Sequence, residues 1–175
     1  GALVTTAQDQ WMTMPGSVLA LNTYEEITIE SWYTPASGAN TGYSMLAYFG
    51  ETVGTSGRNF IFVQPARVTN TTRVSISTNS TGAESEASGP EYDDGRLHHV
   101  AVTIDAAKIK LYLDGDLIAA SALSAENRIS GVSQSLAFLC KSGYTSDPEW
   151  IGKIHEFNIY NCALTAGEVF YLYKH

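Results

Sequence analysis

Positive charge is scarce in this sequence: ten Lys and Arg face eighteen Asp and Glu, for a net charge of -8. Nucleic-acid backbones are gripped by clustered Lys and Arg that displace counterions, and anionic membrane surfaces by polybasic segments. No such cluster is present, so neither is an expected partner, whereas a neutral ligand is indifferent to this charge. Long apolar runs are missing too. None approaches the roughly 18–20 residues that span a bilayer, so membrane insertion is not expected. No basic-apolar leader opens the sequence, and the expectation is a domain beside flanking domains in a longer chain. Cysteine is nearly absent. Cys140 and Cys162 stand at a spacing that matches no zinc motif. They are either two separate buried thiols or one disulfide between neighbouring strands, and only the Cα approach of about 4.4–6.8 Å that a bridge needs decides between them.

Familiar catalytic patterns are also lacking. His98, His99, His155 and His175 fall into no His-Glu-x-x-His spacing, and no Gly-x-Ser-x-Gly turn occurs. Helical periodicity is rare as well. What replaces it is alternation of apolar and polar residues, in a chain of 175 residues with 44% hydrophobic and 16% charged side chains. That length suits a single domain, residues 1–175, with a real core.

The clearest strand is Ile27 to Tyr33, with Ile27, Ile29, Ser31 and Tyr33 on one face and Thr28, Glu30, Trp32 and Thr34 on the other. Ser44 to Phe49 reads as a second strand and Gly50 to Gly57 as a loop. Asn59 to Gln64 is a third strand; Phe60 and Phe62 oppose Ile61 and Val63, which implies burial on both faces. Arg73 to Thr78 is a fourth, and the Ser- and Gly-rich stretch Asn79 to Pro90 reads as an exposed connection. His98 to Ile104, Lys108 to Leu113 and Leu117 to Ser121 are linked by tight turns, the second at Asp114-Gly115. Gln134 to Lys141 and Lys153 to Tyr160 complete the strands. Thr165-Ala166-Gly167-Glu168 is a capping box that should start one short helix, about Ala166 to Leu172. The expected fold is all-β, an antiparallel two-sheet sandwich of the jelly-roll kind, with about five to seven strands per sheet and one short C-terminal helix.

Two segments carry a resemblance. Leu97-His98-His99-Val100-Ala101-Val102-Thr103-Ile104-Asp105 continues into Ile109-Lys110-Leu111-Tyr112-Leu113-Asp114-Gly115, and Gly152 to Asn161 is followed by Ala163-Leu164-Thr165. They resemble the laminin-G-like domains of the concanavalin A-like lectin and glucanase superfamily, in the version common in bacterial secreted proteins. Ile27 to Tyr33 resembles that family's early strand. The family usually has Trp where this chain has Leu97, and often Asp and Arg where it has His155 and Asn158. The resemblance spreads over roughly residues 25–173 and implies an extracellular or cell-surface location. It speaks to architecture, because strand cores, turns and caps specify a fold while loops read ligands.

The resemblance implies a non-catalytic carbohydrate-binding module that targets a larger secreted enzyme or surface protein to polysaccharide or oligosaccharide. The alternatives are a protein-interaction or adhesion domain of the same fold and, further off, a glycoside hydrolase. Glucanases of this fold carry a tight Glu-x-Asp-x-x-Glu arrangement, which is not found here, so Glu30 and Glu156 read as hydrogen-bonded sheet residues and no catalytic residue is assigned. Calcium is a common structural ion in this fold. Asp9, Asp93, Asp94, Asp105, Asp147 and Glu149 are loop carboxylates that could serve one calcium ion, although an imidazole at His155 is a poor ligand for it. Sugar rings stack on aromatic rings, and their hydroxyls need planar polar partners. Trp150, Tyr144, Tyr92 and Tyr43 lie in or beside loops, and Arg58, Asn59, Gln64, Arg67, Asp147 and Glu149 supply polar groups. These ten are the expected ligand-binding residues of a monomeric domain. Trp150 has a rival role as a plug at the end of the sandwich. Trp32, Tyr112, Phe157 and Tyr160 alternate within strands and read as core. Asn70-Thr71-Thr72 and Asn79-Ser80-Thr81 match the N-glycosylation pattern, as chance allows in so Thr- and Asn-rich a chain.

Overall fold

Alternation in β3 (Ile27–Pro35) sends Ile27, Ile29 and Tyr33 into a buried core and Glu30 and Trp32 to the opposite face. The computed structural model describes residues 1–40, 42–66, 71–78 and 83–175. Among these, β1 (Leu3–Thr5) and β2 (Met12–Thr13) precede β3. After it come β4 (Ala47–Val53), β5 (Ser56–Gln64), β6 (Thr71–Ser77), β7 (Ser85–Pro90), β8 (His98–Ile104), β9 (Lys108–Leu113), β10 (Asp116–Ala122), β11 (Leu136–Leu139) and β12 (Gly152–Tyr160). Two helices, α1 (Gly16–Leu19) and α2 (Ala166–Lys174), complete the elements used below.

The strands form two six-stranded sheets, ordered β1-β12-β3-β8-β9-β10 and β2-β11-β4-β5-β6-β7. Neighbouring strands within them run antiparallel, as the two-sheet sandwich reading expects. Inward-facing residues of both sheets meet in one core. Ile27, Ile29, Val100, Val102, Leu111 and Ile154 come from the first sheet, and Phe49, Ile61, Val63, Val74, Ile76 and Leu139 from the second. Each such side chain contributes roughly 1.5–3 kcal/mol on burial, so the core holds the sheets together more than any ion pair does.

Two local readings are corrected. Gly50 to Gly57 is a hairpin rather than a loop: β4 runs on to Val53 and β5 resumes at Ser56, with Glu51 opposite Arg58. The connection Asn79 to Pro90 contains β7, whose Ser85 and Ala87 pair with Ile76 and Val74. Side chains this small give no hydrophobic alternation to read, yet the ladder is satisfied by backbone alone. The edge strands β1 and β2 were likewise outside the sequence reading, being too short for any period to show. The glycosylation pattern residues Asn70 and Asn79 lie outside the described residues.

The capping box forms as expected. Glu168 N–H donates to Thr165 Oγ1 at 3.3 Å, and Thr165 N–H donates to Glu168 Oε2 at 2.8 Å. The helix it starts lays Val169 against Ala101 and Tyr112 on the outer face of the first sheet. Tyr173 stacks on Trp32 with ring centroids 5.7 Å apart. Trp32 is therefore half-buried beneath α2 rather than in the main core. Tyr112 is buried on that same outer face, and Phe157 packs at the edge of the main core. One outer face is thus covered by the chain's own C-terminal helix, which leaves the outer face of the second sheet for other uses.

The cysteines remain apart as free thiols, Cys140 buried and Cys162 exposed. Burial pushes the Cys140 thiol up to about 12, so its thiolate, the reactive form, is not reached near neutrality. Titration with a disulfide reagent should find one fast thiol in the native protein and the second only after unfolding. Two fast thiols, or none in either state, would contradict this arrangement.

Candidate functional site

The second sheet has an unusual outer face. Phe60 and Phe62 on β5 point away from the core, and with Met45 and Tyr48 they form a separate buried cluster. The segment after β11 closes over them. Its two ends are clamped together, with Trp150 N–H donating to Cys140 C=O at 3.0 Å. It is tied to the β4–β5 hairpin, where Thr52 Oγ1 donates to Gly143 C=O at 2.6 Å and Thr145 N–H to Thr55 C=O at 3.1 Å. Within the segment, Ser142 Oγ donates to Asp147 at 2.7 Å and accepts from Tyr144 N–H at 3.0 Å. These bonds hold Tyr144 edge-on to Phe60, with ring centroids 6.2 Å apart.

Beside this lid lies a cavity of about 310 Å³ lined by Tyr43, Met45, Arg73, Glu84, Tyr144 and Asp147. Arg73 is its most constrained member. On β6 it stands on the same outward face as Ser75 and Ser77, opposite the inward Val74 and Ile76. It is 7% exposed. Its Nε donates to Gln64 Oε1 at 2.8 Å, and its Nη1 donates to Glu84 at 3.2 Å and Glu86 at 2.8 Å. Its guanidinium carbon sits 4.7 Å from the Phe62 ring centre, a position where the ring face attracts a cation. Burial raises the Asp147 carboxyl above the usual carboxylate range, against the opposing Ser142 hydrogen bond and the Arg73 charge. Burial likewise raises Tyr144, helped by Glu84 and Asp147. Rings, a planar cation and carboxylates therefore converge on one concavity, the composition expected of a small-molecule site.

Of the ten expected residues, Tyr43, Tyr144 and Asp147 line this cavity, and Gln64 supports Arg73 from the neighbouring strand. Five others are elsewhere. Trp150 is 0% exposed and meets Tyr33 edge-to-face with centroids 6.0 Å apart. It plugs the core and offers no ring face to a ligand, because the clamp to Cys140 turns it inward. Tyr92 packs under His98 with ring centroids 4.6 Å apart, far along the chain's first-sheet network with Tyr33. Arg58 is exposed on the hairpin. Asn59, in a left-handed conformation at φ 47°, donates to Glu51 at 2.7 Å. Glu149 is bonded to Lys141 at 2.8 Å, and that ammonium sits over the Trp11 ring. Arg67 lies outside the described residues. Met45, Arg73 and Glu84 escaped the sequence reading. A signal existed for Arg73, since Arg73-Val74-Ser75-Ile76-Ser77 puts it on a polar face next to the outward Phe62.

The carboxylates considered for calcium are spread over the molecule. Asp93 accepts from Asn40 at 2.9 Å, Asp94 contacts His98 at 2.9 Å, and Asp105 caps its own turn through Ala107 and Lys108 at 2.8 Å. Among the described residues no three His, Cys, Asp or Glu groups gather in a way that could hold a metal ion. Glu30 and Glu156 are drawn together by Asn158, whose amide donates to both at 2.7 and 2.8 Å. The second Glu30 oxygen lies 3.1 Å from His99 Nε2, and Glu30 is 2% exposed. Both Glu30 oxygens are thus engaged within the sheet, whereas Glu156 is exposed.

A family model described as the concanavalin A-like lectin/glucanases superfamily, laminin G type, matches residues 6–170. The chain belongs to this superfamily. No curated protein sequence gives a match. Among solved structures, the chain is similar to the CBM40 of the Ruminococcus gnavus IT-sialidase bound to α2,3-sialyllactose. That pair shows a TM-score of 0.81 and 17% identity, over 98% of this chain and 95% of that one. It is similar to the leech intramolecular trans-sialidase complexed with 2,7-anhydro-Neu5Ac, at TM-score 0.79 and 17% identity over 98% of this chain and 27% of that one. It also resembles the binding domain of botulinum neurotoxin DC in complex with rat synaptotagmin II, at TM-score 0.69 and 15% identity over 99% of this chain and 42% of that one. At these identities the likeness is one of fold.

Proposed function

We propose that this superfamily member binds carbohydrate, without catalysis, in the cavity on the second sheet. It would act as a secreted or surface-exposed module of a longer protein. The observation that carries the reading is the convergence of Tyr43 and Tyr144 with Arg73, Glu84 and Asp147 around one cavity of about 310 Å³. Aromatic faces suit the C–H faces of a sugar ring, and carboxylates accept from its hydroxyls. The sialyllactose bound by a neighbour of the same fold supports it. The burial of Glu30, with both of its oxygens hydrogen-bonded, supports the absence of hydrolysis.

The test is a glycan array probed with the domain and with Tyr43→Ala. Tyr43 is 45% exposed, so its removal should leave Tm nearly unchanged while weakening binding roughly tenfold, the order expected for one lost aromatic contact. An array silent for the folded wild-type domain would remove the carbohydrate reading in favour of a protein-interaction role.

A further inference from the structure

A second concavity, of about 430 Å³, opens at the edge of the sandwich, where β1 and the loop before β2 come together. Its lining includes Val4, Thr6, Asp9, Gln10 and Trp11, and among the described residues it shares none with the cavity around Tyr43 and Tyr144. Trp11 supplies the ring. Lys141 Nζ stands 3.7 Å from the ring centre and is itself held by Glu149 at 2.8 Å, so a fixed cation covers one face of the indole. Trp11 is nonetheless 41% exposed, which leaves its other face and edges to solvent. Trp32 is half-buried and Trp150 buried, so this is the tryptophan open to a ligand. With the exposed Val4 beside it, the indole gains free energy on being covered.

The polar groups around the ring suit a sugar. Gln10 Oε1 accepts from Thr6 N–H at 2.7 Å, which fixes the amide and leaves its Nε2 a donor without a partner among the described residues. The Asp9 carboxyl oxygens have none there either, and serve as acceptors. The loop that carries both is anchored: Gln8 Oε1 accepts from Glu149 N–H at 2.9 Å, and Gln8 Nε2 donates to Glu149 C=O at 3.2 Å. A donor, an acceptor and a ring face are therefore presented by a loop ordered before any ligand arrives, which lowers the cost of binding.

The two cavities are joined by one segment. Lys141 and Glu149, which support the Trp11 loop, belong to the same 140–150 segment as Tyr144 and Asp147. Lys141 and Tyr144 are three residues apart, so their Cα atoms lie within about 11 Å of each other. Resting on the carbohydrate reading above, we infer that the Trp11 cavity is a second sugar subsite, and that the preferred ligand is an oligosaccharide reaching both flanks of the segment rather than a single sugar. Tyr43 and Tyr144 take one unit of it, and Trp11 takes a unit further along. Once the first unit is held, the second binds from a high effective concentration.

The experiment measures affinity by calorimetry along ladders from monosaccharide to hexasaccharide cut from galactan, cellulose, mannan, xylan and chitin, with sialic acid against 3′-sialyllactose alongside. In at least one series affinity should rise roughly tenfold or more with length. Trp11→Ala should weaken the longest bound member roughly tenfold, the order of one lost aromatic contact, and the shortest bound member far less. Gln10→Glu keeps the acceptor for Thr6 and removes only the amide donor. It should cost roughly fivefold on the longer members, and it serves if Trp11→Ala does not fold. Affinity independent of length, long members unaffected in the folded variants, or equal weakening at every length overturns the inference and leaves the carbohydrate reading at Tyr43 and Tyr144 standing. Binding to none of these sugars by the folded wild type, with a silent glycan array, overturns both.

Discussion

Trp150→Ala should lower stability by about 3–5 kcal/mol, the range for removing a large buried aromatic. For a chain of this size that is a Tm lower by roughly 6–20 °C. Trp150 is wholly buried against Tyr33. Its carbonyl accepts from Thr5 Oγ1 at 2.9 Å, and its N–H is bonded to Cys140. The backbone of Trp150 thus anchors β1 and closes the 140–150 segment, while its indole fills the core. Its Nε1 has no hydrogen-bond partner among the described residues, so Trp150→Phe, which removes that orphan donor, should recover most of the loss. Thermal melts of the three proteins, with binding measured on the folded fraction, check the assignment. An unchanged Tm together with lost binding would instead make Trp150 a ligand contact.

Gly143→Ala should have the largest effect on binding. A Cβ at Gly143 would overlap the ring and hydroxyl of Tyr48. Tyr48 cannot easily yield: it is fully buried, its hydroxyl donates to Glu51 C=O at 2.8 Å, and that hydroxyl is also hemmed in by Gly50 and Gly57. The segment must therefore lift from the sheet, carrying Tyr144 and Asp147 away from Arg73. We expect glycan affinity to fall at least roughly tenfold, with the cost of about 1–3 kcal/mol typical of overpacking. Affinity at the wild-type level in this variant would mean that the segment does not build the site.

Much of the fold was legible because it rests on local rules. The alternation of Ile27 to Tyr33, the tight turn at Asp114-Gly115 and the capping box at Thr165 each state their own geometry, and each forms. Phe60 and Phe62 opposite Ile61 and Val63 also announced a strand buried on both faces, and the lid bearing Tyr144 is what buries the outer one. The site was less legible. Tyr144 and Trp150 lie in one segment and look alike as loop aromatics, yet a single backbone bond to Cys140 sends one inward while the other stays at the cavity. That outcome depends on contacts distant in sequence. Arg73 was overlooked in favour of Arg58 and Arg67, since a buried arginine is tolerable only when strands place Gln64, Glu84 and Glu86 around it, and no local pattern shows such pairing.

The central claim is where the ligand sits. It is tested most directly by amide-resolved NMR of the domain titrated with the tightest glycan from the array. Shift changes should concentrate at Met45, Arg73, Glu84, Tyr144 and Asp147, and Tyr43→Ala should weaken them together. Changes confined to the Tyr92–His98 end or to the face beneath α2, with the second-sheet amides unmoved, would contradict it.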